Sequence, residues 1–305
     1  MKSIANFVES GITNLSDLQM ALQLAMQLEF STIPPYLCAQ WSIDSNNVPS
    51  DVADMIEGIA VQEMYHFALA GNMLTAIGGT PDITGSSFLP TYPTSVLPGG
   101  IVQPLPVDLQ PLSINQLQVF MQIEYPEFAP VALALVGRPP TIGAFYDTIA
   151  DGFTAVNPAI NPHAYSVNMQ EAVPITSVAD AQAAIARIKG EGEGTVGSPD
   201  QPPADGAQFA HYYAFKAILV GKTLVQDSSG WNFAGAPIQF PKVFNFAQST
   251  AIPSPSTAFN QALAELLFGL QTCWTSGQRP NIHAMGQLQT LGQNLIQHGI
   301  RPEFL

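Results

Sequence analysis

Glu63-Met64-Tyr65-His66 sets a carboxylate and an imidazole three residues apart in a segment with helical periodicity. Positions i and i+3 share one face of a helix, so both side chains can reach a single cation. Such a pair alone is common on solvated helix surfaces. Here it interrupts an apolar stripe, Val52, Ile56, Ile59, Glu63, His66, Ala70, Met73, Ile77. Three more predicted helices break their apolar face in the same way. Glu29 follows Leu22, Ala25 and Met26, Glu124 follows Leu117, Phe120 and Met121, and His211 precedes Phe215 and Ile218. A carboxylate on a buried face must be paired, hydrogen-bonded, neutralised or bound to a metal. With only nine Lys and Arg in the chain, ion-pair partners are scarce. Four helices carrying such groups at similar depth imply convergence, which makes Glu29, Glu63, His66, Glu124 and His211 candidate metal ligands. Carboxylate oxygen with imidazole nitrogen suits iron or manganese, with zinc as the alternative. Two-metal carboxylate bundles use this E-x-x-H spacing, with glutamates from the other helices joining the ions. His163, His283 and His298 have no such pattern and read as ordinary residues.

The elements that must position these groups are nearly all helical. Apolar periodicity predicts helices over about 15–41, capped by Asn14 or Ser16, and 50–77, stopped by Gly78-Gly79. Pro34 and Pro35 must kink or interrupt the first of these, because proline brings no N–H. A third helix is expected from Ser113 with Pro126 inside it, and further helices over 141–153, 177–189 and 204–220. Two C-terminal helices are expected over 257–274 and 281–298. Residues 80–112 read as a long irregular crossover, and 221–255 as irregular with short strands; both are candidate substrate lids. The stretch GEGEGTVGSPDQPP, 190–203, reads as non-regular. The reading divides the chain into a bundle, 1–225, and a C-terminal extension, 226–305, packed on it.

Bulk properties narrow the class. Hydrophobic residues make up 47% and charged residues 10%, too apolar a mix for disorder. The formal charge of -14 repels a phosphate backbone and argues against a nucleic-acid partner. Cys38 and Cys273 form no CxxC pattern, so neither a disulfide framework nor a thiolate metal site is expected. The opening MKSIANFVESGITN lacks the apolar core of a signal peptide, and no apolar run reaches the roughly 18 residues that span a bilayer. A cytoplasmic setting and no membrane partner are expected.

The segments LAMQLEFSTIPPYLCAQWSI, IAVQEMYHFALAGNMLTAIGGTP, FMQIEYPE, TIGAFYDTIADGF, IKGEGEGT and AHYYAF together resemble the ferritin-like domain of the iminophenyl-pyruvate dimer synthase family, the VioB and RebD type. The resemblance implies an all-α, ferritin-like four-helix bundle holding two iron ions. It implies ligands at Glu29, Glu63, His66, Glu124 and His211 and adds Glu193, on a segment reading GEGEG with Glu191 in place of the family's glutamine. A second E-x-x-H would need Glu at position 208, where this chain has Gln208. Either Glu193, delivered by a Gly-rich loop, supplies the missing oxygen, which is the preferred reading, or the second metal is held loosely. Dimer synthases of this type are much longer, so their imine chemistry is not carried over. The implied activity is an O2-activating oxidoreductase with a small organic substrate; the alternatives are a non-catalytic iron-binding protein and a structural bundle with a degenerate site. Tyr65 and Tyr212, beside the candidate ligands, read as packing residues first.

Overall fold

The computed structural model describes residues 2–44, 51–85, 87–126, 141–194, 199, 201, 208–228, 230–247, 254–281 and 283–305. A short helix, α1 (Ile4–Ser10), precedes the two longest helices of the bundle, α2 (Leu15–Trp41) and α3 (Asp51–Ala76). Asn14 caps α2, its side chain accepting the Asp17 N–H at 2.9 Å. Gly78, at φ 77°, terminates α3 in a left-handed conformation that costs glycine nothing. Ser50, the expected cap of α3, lies outside the described residues.

α2 runs through both prolines without interruption. Pro35 cannot donate to the carbonyl of Ser31 four residues back. The Tyr92 hydroxyl donates to that oxygen instead, at 2.6 Å. Tyr92 comes from the crossover 80–112, which is more ordered than its composition implies. It contains an antiparallel hairpin, β1 (Thr94–Leu97) and β2 (Ile101–Val107).

The next helices depart from expectation at their ends. α4 (Ile114–Ile123), capped by Ser113, stops at Glu124 rather than enclosing Pro126, because a residue preceding proline is pushed out of the helical region. α5 (Ile142–Val156) begins at its Thr141 cap. α6 (Val178–Glu193) continues through Gly190-Glu191-Gly192, the stretch read as non-regular. Glycines disfavour that extra turn. Arg187 offsets the cost by pairing with Glu191 one turn on, Nε to Oε1 at 2.7 Å, and Gly194 closes the helix at φ 82°. α7 covers only His211–Val220, so Gln208 is not on the helix; 202–207 lie outside the described residues.

A second small hairpin, β3 (Val225–Asp227) and β4 (Gly230–Asn232), leads to α8 (Ser254–Ser276) and α9 (His283–Gln297). The α2–α3 pair packs against α4, α5, α6 and α7 on the side of the candidate ligands, with α4 beside α7 and α5 beside α6. α8 and α9 pair with each other and lie against α3 and α2. One apolar core runs from Ile4 to Phe304, with Tyr36, Tyr146, Phe120, Phe145 and Phe215 fully enclosed. Among the described residues, no helix is long and apolar enough to cross a membrane.

Candidate metal centre

Glu29, Glu63, His66, Glu124 and His211 are all buried, none above 7% exposed. They form two groups whose ligand atoms all lie within 4.8 Å of one another: Glu29, Glu63 and His66, and Glu63, Glu124 and His211. Glu63 belongs to both and is placed to bridge. His66 Nδ1 lies 3.8 Å from Glu29 Oε2 and 3.8 Å from Glu63 Oε1. His211 Nδ1 lies 2.8 Å from Glu63 Oε1 and 3.6 Å from Glu124 Oε2. The two imidazoles face each other across the cluster, ring centres 5.7 Å apart.

Each histidine turns its other nitrogen outward. His66 Nε2 meets Glu191 Oε2 at 2.8 Å, and Arg187 grips the opposite oxygen of Glu191. His211 Nε2 meets Gln62 Oε1 at 3.0 Å. Gln62 and Gln201 exchange amide hydrogen bonds at 2.8 and 3.1 Å, which fixes the orientation of Gln62. Both partner oxygens are acceptors, so each ring donates from Nε2 and turns Nδ1 toward the cluster, the nitrogen that a metal would take after displacing any proton on it.

The terminal carboxylates are anchored by hydroxyls. Tyr146 donates to Glu29 Oε1 and Tyr36 to Glu124 Oε1. Thr32 Oγ1 shares its proton between the Glu29 carbonyl, 2.8 Å, and Glu63 Oε2, 3.1 Å. Tyr36 is seven residues beyond Glu29 on the same face of α2, a spacing that could have identified it from sequence; Tyr146 carries no such signal. Tyr65, by contrast, turns to Gln170, away from the cluster.

Glu193 is not a member of either group. It lines the same small cavity, about 30 Å³, with Glu29, Glu63, His66 and Glu124. Its Oε1 accepts the Gly143 N–H at 2.9 Å at the start of α5. It arrives on the last turn of α6, not on a loop. The cavity is walled by α2, α3, α4, α5 and α6, and among the described residues neither candidate lid contributes to it.

Electrostatics favour a cation. Among the described residues, no lysine or arginine forms an ion pair with Glu29, Glu63 or Glu124. Burial, then the charge of Glu63, pushes the Glu29 carboxyl well above its usual range, and burial with the Glu124 charge raises Glu63. Burial pulls His211 down, but Glu124 and Glu63 outweigh it and hold the imidazole up at about 10. Burial likewise opposes ionisation of Glu191, yet His66 and Arg187 prevail and lower it. His211 Nδ1, though near Glu63, lies off the line a hydrogen bond needs and is a buried polar atom without such a partner. A nitrogen of this kind aimed at the two carboxylates of Glu63 and Glu124 is what a metal position offers. The donor set fits a pair of hard or borderline divalent ions.

The chain matches the family model described as Ferritin-like over residues 22–220. Among solved structures it is similar to a ferritin-like protein from Caulobacter vibrioides, with a TM-score of 0.72 and 21% identity, covering 97% of this chain and 100% of that one. No curated protein matches it. The E-x-x-H helix, the convergent carboxylates and the family match over well more than half of its length agree: this chain belongs to the ferritin-like family.

Proposed function

We propose that the protein is a di-iron carboxylate oxidoreductase that uses O2 on a small organic substrate, and that its ferritin-like domain is of the VioB and RebD type. The observation that carries the metal part is the sharing of Glu63 between two three-residue groups. Glu29 and His66 would hold one ion and Glu124 and His211 the other, with Glu63 within reach of both. Two divalent ions bring four positive charges, against three from these carboxylates. Glu193, lining the same cavity, would bring the fourth negative charge beside the ions. When bound, a ferrous pair supplies reducing electrons to O2. The protein's own part is to hold the ligands at fixed spacing. Tyr36, Tyr146 and Thr32 keep the carboxylates from swinging, and the apolar wall from Ile123, Ile142 and Ile188 limits water.

The size of the cavity favours a second reading. About 30 Å³ holds a water or a diatomic gas and no organic substrate. An iron-handling protein without organic substrate needs no more. Anaerobic Fe(II) loading followed by O2 tests both. Two irons per chain with O2 consumption and an oxidised organic product support the oxidoreductase. Two irons with O2 consumption and no product under a broad substrate screen support iron handling. Less than about one metal per chain, unchanged in Glu63→Ala, refutes both.

A further inference from the structure

A second, larger cavity lies between α2–α3 and the C-terminal pair α8–α9. Its volume is about 220 Å³, and none of its lining residues lines the cavity at the metal centre. Protein interiors normally close such spaces. Here two rigid aromatic groups keep the helices apart. At one end Phe30 and Phe67 pack with ring centres 5.7 Å apart and continue to Phe88. At the other, Trp41 stacks on Phe304 at 6.3 Å, and Gly292 lies so close behind it that a Cβ there would come within 2.2 Å of the indole. Between these ends the walls are aliphatic, with Met64, Met169 and Met285 supplying flexible, polarisable side chains that adapt to a guest's shape. Among the described residues no Lys, Arg or His lines the cavity; its polar lining is the amides of Gln40 and Gln289 and the carboxylate of Glu57, which is exposed at the surface.

We propose that this cavity binds an uncharged, apolar small molecule of one or two fused rings, independently of the metal centre. Dry apolar cavities of about 150 Å³ accept benzene, so this volume accommodates a somewhat larger guest. An anion meets the Glu57 carboxylate and finds no counter-charge in the lining. A strongly polar guest would meet only the amides of Gln40 and Gln289 and leave its other hydrogen-bonding groups unmet against apolar walls.

Naphthalene is a suitable probe, read by Trp41 emission and by melting temperature on metal-free protein. The expected result is saturable one-to-one binding, a raised melting temperature, and at least about tenfold weaker binding of 2-naphthoate. Gly286 lines the cavity on α9, and a Cβ added there meets nothing within 4 Å. Gly286→Phe can therefore fill the space without a clash, and Val61→Phe fills it from α3. At least one of the two, folded by circular dichroism, is expected to weaken naphthalene at least about tenfold, while Gly286→Ala binds as wild type. The proposal is overturned by non-saturable binding, by equal affinity for 2-naphthoate, or by unchanged affinity in both filling variants. A change of oligomeric state in Gly286→Phe by size-exclusion chromatography would assign the cavity to contact between copies and overturn it too. Because the assay uses metal-free protein, none of these outcomes bears on the di-iron reading.

Discussion

Replacing Glu191 tests whether the two metal positions are unequal. The histidines differ in what stands behind them: a carboxylate gripped by Arg187 for His66, and a neutral amide for His211. A carboxylate behind an imidazole raises its basicity and fixes its orientation, and losing such a partner costs about ten- to a hundredfold in metal affinity, or about 1.4–2.8 kcal/mol. Glu191→Gln keeps an acceptor at the same place and removes only the charge. Arg187 already offsets part of that charge, although its side chain is 39% exposed and water screens the pair. The expected loss is therefore near tenfold for Glu191→Gln and near a hundredfold for Glu191→Ala, confined to the ion held by Glu29 and His66. Gln62→Ala should weaken the His211 side instead. Anaerobic Fe(II) or Mn(II) titration against a chelator gives the affinities, and anomalous scattering from crystals at limiting metal gives occupancy position by position. Equal loss at both positions in Glu191→Ala, or wild-type affinity in that variant, would refute the reasoning.

Glu63→Ala should abolish both metal positions, because both groups use this residue, whereas Glu124→Ala should retain the ion on the Glu29 side; metal analysis of dialysed protein distinguishes one from none. His211 is held at about 10 in the metal-free fold against an ordinary 6.5, and a raised pKa contributes stability that is complete below the lower value and lost as pH climbs through the higher one. Metal-free protein should therefore melt at progressively lower temperature from about pH 6.5 to pH 10, and metal uptake near pH 7 should release protons, measurable as buffer-dependent heats in calorimetry. Tyr146→Phe and Tyr36→Phe each remove a buried hydroxyl donor to a site carboxylate and should each cost about 1.5–3 kcal/mol in urea unfolding of the metal-free protein.

Much of this arrangement was legible because the signals were local. The limits of α2 and the end of α3 follow from apolar periodicity, Asn14 and Gly78, and the convergence of the five candidate ligands from polar breaks in apolar stripes. The errors occur where distant groups decide. The end of α4 is the exception, set locally by Pro126, which disfavours a helical Tyr125. The final turn of α6 opposes glycine's propensity because Glu191 is held by His66, 125 residues away. Gln62 and Tyr146 carry no signal for the same reason, since their partners lie on other elements, and Glu191, visible in sequence as a replacement for a glutamine, shows its role behind His66 only in the fold. The hairpin in 80–112 was hidden by prolines and glycines that read equally well as loop.

Asn72 sits near the end of the helix that carries Glu63 and His66. Its side chain accepts from the Trp274 indole across 202 residues, while also bonding to the backbone at Val167 and Val173. During synthesis α3 emerges early, yet this fastening is completed only when residue 274 leaves the ribosome. A nascent chain stalled before that point holds all the candidate ligands while the back of α3 is still uncovered, so loading of the centre and closure of the outer layer are separable in time. Newly made chains should accept metal before they acquire full resistance to protease.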